Sequence, residues 1–167
     1  MLIKGVLAEV ELNKWRLELM TYQKLSVYTE IVNTIKPSPW WVLAKRNTKL
    51  VKKCKLIMKL IVGEGNLRMN TGRWEQDIRI RRIERTCLTC NDGVETLDHM
   101  LMECVELKDA RENLMGTLES HGIKDMDTKQ KVSLIFNKDN VLNDIEMQEI
   151  VFIIHEMYVN RIVAERE

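Results

Sequence analysis

Cys87-Leu-Thr-Cys90-Asn-Asp-Gly-Val-Glu95-Thr-Leu-Asp-His99-Met-Leu-Met-Glu-Cys104 holds three of the chain's four cysteines and one of its three histidines. As a pattern it is C-x2-C-x8-H-x4-C. Zn2+ takes four nitrogen or sulfur donors in a tetrahedron at roughly 2.0 to 2.3 Å. A C-x2-C pair on a tight turn supplies two thiolates from one short piece of backbone, so the second pair must come from a separately ordered element. Thr96 has the character of an N-cap. His99 then falls in the first turn of a helix, and Cys104 lies about 140° further round at about 100° per residue. Either the helix start is distorted or the metal sits at its end. A thioredoxin-like redox pair would be expected beside a strand-helix alternation, which is missing here. Three thiolates and one imidazole close the coordination shell, so a single structural Zn2+ on Cys87, Cys90, His99 and Cys104 is expected, with no open position for catalysis. Asp98 and Glu103 flank the ligands, as hydrogen-bond partners to them or simply as solvated groups.

Upstream of this run, Leu7, Val10, Leu17, Met20, Leu25, Tyr28, Ile31 and Ile35 recur at the spacing of one helix face. They predict one long helix or two short ones. Pro37 stops it and pushes Lys36 out of helical angles. Trp40 to Val62 reads as the next helix, with Leu43, Leu50, Cys54, Ile57 and Ile61 on one stripe, ended by Gly63 and Gly65. Residues 66 to 94 have no sustained period, and short extended pieces are expected around Ile78 to Ile80 and Arg85 to Leu88. Downstream, Leu97 to about Leu118 predicts a helix that buries Leu97, Leu101, Val105, Leu114 and Leu118 and ends at His121-Gly122. Lys129 to Phe136 predicts a shorter helix. Asp144 to about Ala164 predicts a final long one with Ile150, Ile153, Ile154, Met157, Tyr158 and Ile162 inward. The expected fold is mainly α: a helical bundle with a small CCHC zinc knuckle, a short β-hairpin, inserted between helices. Its parts are an N-terminal helical segment (1–36), a basic helix (37–65), the knuckle with its following helix (66–120) and C-terminal helices (121–167), in one compact domain.

Composition agrees. Seven glycines and two prolines in 167 residues fall below the usual combined share of about 12%, which disfavours a strand-and-turn architecture. A hydrophobic content of 45% excludes disorder as the whole account. The net charge of +1 conceals a division: residues 36 to 85 carry 14 basic and 4 acidic side chains, and residues 86 to 167 carry 8 and 17. Such asymmetry suggests a polyanionic partner on one surface, or two halves that neutralise each other by docking. Glu9 and Glu11 interrupt the apolar start before it reaches the length of a targeting segment, and no membrane span is seen. An intracellular location, nuclear or cytoplasmic, is expected, where thiols stay reduced or bind metal. Cys54 reads as a small core residue, His121 as a surface cap and His155 as a partly buried helix residue.

Asn70-Thr-Gly-Arg-Trp74, Ile83-Glu-Arg85-Thr-Cys87, the run to Cys104 and Arg111 together resemble the zinc-binding region downstream of the reverse transcriptase in non-LTR retrotransposon polyproteins. In that family a TGR segment precedes an Arg-x-Cys-x-x-Cys knuckle and a Glu-x-x-x-His-hydrophobic-Leu-x-x-Cys run. The likeness covers about Leu43 to Met115 and continues into a helical tail with a late arginine, here Arg161. No Tyr/Phe-x-Asp-Asp polymerase motif and no Pro-Asp endonuclease start occurs. The resemblance therefore implies a non-enzymatic C-terminal accessory module, or a truncated or domesticated copy, that holds template RNA or target DNA and docks with a reverse transcriptase domain. Candidate phosphate contacts are Lys45, Arg46, Lys49, Lys52, Lys53, Lys55 and Lys59 on one helix, with Arg68, Arg73, Arg79, Arg81, Arg82 and Arg85 leading into the knuckle. Trp74 is a candidate base-stacking ring. Trp40 and Trp41 are candidates too, though more readily core residues. The competing reading is a helical protein-protein interaction scaffold whose zinc is purely structural.

Overall fold

In the computed structural model, residues 2–22, 25–31, 38–72, 74–75, 78–136 and 142–164 are described, the side chains of 2–8 and 74–75 excepted. The chain is mainly helical. Its N-terminal part takes the two-helix alternative, α1 (Leu2–Met20) and α2 (Ser26–Ile31). The stripe expected there turns inward only at its end: Ile31 is buried, whereas Val10, Leu17 and Met20 are 59%, 67% and 70% exposed. α1 packs against α2, and most of its described side chains, Glu9 to Met20, are exposed. Ile35, Lys36 and Pro37 lie outside the described residues, as does the side chain of Leu7.

Pro39 opens α3 (Pro39–Arg46) at the first helical position, where its missing N–H has no partner to lose. The single helix expected from Trp40 to Val62 is broken. Asn47 takes extended angles and its side chain accepts a hydrogen bond from the Lys49 N–H at 3.2 Å, and a 3-10 turn at Thr48–Leu50 then leads into α4 (Val51–Ile61). Asparagine does this because its short side chain competes for nearby backbone donors. The buried stripe survives the break, with Leu43, Leu50, Cys54, Ile57 and Ile61 all inside. The N–H of Glu64 donates to the Lys59 carbonyl at 2.7 Å, and that of Gly63 to Leu60, which closes α4 in a Schellman motif.

One helical turn, α5 (Arg68–Thr71), and a two-residue antiparallel ladder of β1 (Trp74–Glu75) with β2 (Ile78–Arg79) follow. The hairpin expected for the knuckle is not found among the described residues. The knuckle is closed by one isolated bridge, Thr86 to Val94. The helix expected from Leu97 to Leu118 is also interrupted, by a π-turn at His99–Glu103 and a 3-10 turn at Val105–Leu107, before α6 (Lys108–Ser120). Leu97, Leu101, Leu114 and Leu118 are buried as the spacing predicts, but the interruption turns Val105 out to 60% exposure. Reciprocal caps between Asp127 and Gln130 open α7 (Thr128–Phe136), and Asn143 with Glu146 opens α8 (Asp144–Ala164) in the same way.

α8 is the central element and packs against α3, α4, α6 and the turns at 99–107. Its Ile150, Val151, Ile154 and Met157 are fully buried, and Ile153, Tyr158 and Ile162 are half-buried. A helix apolar on most of its circumference is stable only when neighbours cover it, and each such side chain contributes about 1.5 to 3 kcal/mol on burial. Among the described residues no helix is long and apolar enough to cross a membrane.

Candidate metal centre and the basic face

The donor atoms of Cys87, Cys90, His99 and Cys104 lie within 4.8 Å of one another. Donors at tetrahedral corners about 2.0 to 2.3 Å from one ion stand roughly 3.3 to 3.8 Å apart, and the Cys90 Sγ to His99 Nε2 distance is 3.3 Å. The local fold explains the convergence. The Asn91 N–H donates to the Cys87 carbonyl and the Cys87 N–H to the Gly93 carbonyl, both at 2.9 Å, which curls the C-x2-C turn on itself. Gly93 stands at φ +62°, and a Cβ there would meet His99 Nδ1 at 3.0 Å, so backbone angle and ring contact both call for glycine. Thr96 Oγ1 accepts from the His99 N–H at 2.9 Å, the N-cap expected from the sequence.

The π-turn removes the 140° separation between His99 and Cys104. The Cys104 N–H bonds to the His99 carbonyl at 2.8 Å, five residues back, and this wider turn brings two side chains at that spacing onto one side. Arg111 Nη1 then donates to the Cys104 carbonyl at 2.7 Å and ties the last ligand to α6.

The surroundings fit a thiophilic divalent cation. Burial pushes the Cys87 thiol up, opposed by the backbone N–H groups of Cys90 and Thr89 that donate to its sulfur. Burial and the neighbouring Cys87 and Cys90 sulfurs push Cys104 up to about 12, opposed by the N–H of Glu106. Amide donors aimed at buried sulfurs stabilise thiolates, and a coordinated cation removes the repulsion between them. His99 Nε2 faces the sulfurs while Nδ1 faces the Glu103 carboxylate at 3.5 Å, an arrangement that presents the Nε2 lone pair to a metal. Of the two flanking carboxylates, Glu103 is the one on the ligand. Asp98 is raised by burial first, then by Glu30 and Glu103.

Sequence reasoning missed the brace behind the centre. Glu95 is buried, and so is Arg161 of α8, which donates to both carboxylate oxygens, from Nη2 to Oε2 at 2.8 Å, and to the Asn66 carbonyl at 3.0 Å. The Arg68 N–H also donates to Glu95. Arg161 stood out only as a late arginine, and a partner 66 positions away leaves no local pattern.

The candidate phosphate contacts divide. Lys45, Lys49, Lys52, Lys55, Lys59, Arg79 and Arg81 are exposed, Arg81 paired with Glu84 and Arg46 with Asp144 at 2.7 Å. Lys53 lies against α8, 5.0 Å from the Phe152 ring centroid and 3.3 Å from His155 Nδ1. Arg82 reaches Ser26, and Arg68 donates to the Thr86 carbonyl. Arg85 is a structural group rather than a surface one: it is buried and donates to the carbonyls of Met69 and Ile80. Arg73 and the Trp74 side chain lie outside the described residues. Trp40 is wholly buried and Trp41 half-exposed, so the core reading holds for Trp40. Cys54 sits in the core, His121 caps α6 beside Glu146 at 3.0 Å, and His155 is partly buried. No family model, curated protein or solved structure matches the chain.

Proposed function

We propose that this protein is a zinc-stabilised, non-enzymatic module that binds nucleic acid, as an accessory of the kind its sequence resembles in non-LTR retrotransposon reverse transcriptases. The metal assigned to Cys87, Cys90, His99 and Cys104 is Zn2+, from the three-sulfur, one-nitrogen donor set. Bound there, it would fix the knuckle against α6 and leave no position for a substrate.

One observation carries the binding reading: Lys52, Lys55 and Lys59 of α4 are exposed, and of the lysines on that helix only Lys53 is seen to lie against α8. Among the described residues no carboxylate pairs with Lys45, Lys49, Lys52, Lys55 or Lys59. α4 and α8 meet largely through apolar side chains, with Lys53 against Phe152 and His155, and Arg46 of α3 pairs with Asp144 at the start of α8. A positive face that remains open attracts phosphates, and each phosphate neutralised releases counterions.

The test is filter binding to single-stranded RNA and duplex DNA over a range of salt, with zinc content measured on the same preparation. Binding at micromolar or tighter affinity that falls steeply with salt, at one zinc per chain, is expected. No binding at low salt overturns the nucleic-acid reading, and protein without stoichiometric zinc overturns the metal assignment.

A further inference from the structure

We propose that the groove between α4 and α8, beside the turn at Glu64–Asn66, seats one nucleotide of a single-stranded RNA. This rests on the nucleic-acid reading above and narrows it to a strand type and a place. The groove encloses about 340 Å³, near the lower end of small-ligand sites, room for a base and its sugar.

Its chemistry is divided as a nucleotide is. Lys52, Lys55 and Lys59 line it from α4 at i, i+3 and i+7, a row about 10 Å long at 1.5 Å per residue. They supply three charges for the phosphates of a passing strand. Tyr158 lines it from α8. An aromatic ring is a stacking platform for any base, and this one is held in place: the Arg161 guanidinium lies over the ring, 5.8 Å from its centroid, and is itself fixed by Glu95 and the Asn66 carbonyl. A platform already in place spends little entropy on binding. Gly65 lets the turn lie close over α4, because a Cβ there would strike the Leu60 side chain.

Leu56 and two polar residues complete the lining. Asn66, at φ 57°, offers an amide that can both donate to and accept from a base edge. Glu64 is an acceptor that suits a ribose 2′-hydroxyl. A duplex, with its bases stacked inside, can use the lysines but not Tyr158 or Asn66.

The experiment is fluorescence anisotropy of the whole protein with a labelled short oligouridylate, its deoxy counterpart and an RNA duplex. Photocrosslinking of a 5-iodouridine version, mapped by mass spectrometry, accompanies it. The single-stranded RNA should bind tightest and crosslink at Tyr158. Lys55→Glu should weaken all three nucleic acids and lower the salt slope of the single strands by roughly 0.7 for each phosphate that is no longer neutralised. Tyr158→Ala should weaken single strands about ten-fold with the slope unchanged, and Tyr158→Phe should restore binding. Because Tyr158→Ala can also disturb packing, the crosslink on the unaltered protein and the exposed Lys55→Glu decide independently of it. Binding with crosslinks elsewhere and an inert Lys55→Glu overturns the groove while the nucleic-acid reading stands. Equal affinity for RNA and its deoxy counterpart overturns the RNA assignment. Absence of binding to every nucleic acid at low salt overturns both.

Discussion

α1 runs for 19 residues as unbroken helix, and the segment from Cys87 to Cys104 is almost as long but is mostly turns and loop around one short helical stretch at 97–103, yet the second is the better anchored. α1 meets the body through α2, with Trp15 set edge-on to Tyr28 at 6.2 Å, and it leaves Val10, Leu17 and Met20 in water. The knuckle buries Cys87, Glu95, Leu97, His99, Met100, Leu101 and Cys104, and is tied to α5, α6 and α8 by hydrogen bonds and an ion pair. Helical hydrogen bonds satisfy the backbone without fixing where the helix lies. Position comes from contacts to the rest of the chain, and resistance to local opening follows them.

That contrast can be broken most forcefully at the metal. Structural zinc is worth on the order of 10 kcal/mol in small metal-dependent domains, so chelation, or Cys104→Ser, should abolish hydrogen-exchange protection from about Cys87 to Leu107 while α1 amides exchange at unchanged rates. Equal loss in both regions would show that they open together. Next comes the brace. Glu95→Gln breaks the buried ion pair with Arg161 and should cost about 3 to 5 kcal/mol in urea unfolding, whereas replacing both residues by Met should recover part of that. Thr96→Ala removes the cap on the His99 N–H and should cost about 1 kcal/mol. On α1, Leu17→Ser and Met20→Ser should change stability by less than about 0.5 kcal/mol. A larger loss would mean that this face is covered in solution.

A weaker effect is expected outside both regions. Burial first, and then Lys53, hold His155 below the ordinary histidine value. The folded state therefore favours the neutral ring. Its contribution is fully present above about pH 6.5 and declines as the pH falls through that value toward the lowered one. His155→Gln should flatten this limb of a melting-temperature profile.

The sequence made the helices legible where local chemistry and periodicity agreed. The final helix begins at Asp144 as the apolar run after it predicts, and the stripe Leu43, Leu50, Cys54, Ile57 and Ile61 is buried throughout. The break at Asn47 left no trace in that stripe, because the 3-10 turn keeps the same side chains inward on either side of it. The four candidate ligands were legible because chelation needs donor types at close spacing. How His99 and Cys104 converge was not, since helical periodicity assumes 3.6 residues per turn and the chain uses a wider one. Val105 was misplaced for the same reason. On α1 the apolar spacing was real but Val10, Leu17 and Met20 stay exposed, and a pattern records only that a face exists. Glu95 and Arg161 are ordinary surface residues by type, and only the fold shows that they meet.

The pairing of Glu95 with Arg161 also sets an order of assembly. The four cysteine and histidine donors close a loop within Cys87 to Cys104, whereas Glu95 waits for a partner 66 positions downstream. By loop-closure entropy the longer closure is dearer by about 1.2 kcal/mol, and it also requires α8 to have formed. As the chain leaves the ribosome, the knuckle can gather the zinc proposed for it while α8 is still unsynthesised, with Glu95 hydrated. The arrival of Arg161 then closes the interior, so a ribosome stalled before α8 should carry a chain that already holds zinc but has not yet buried its core.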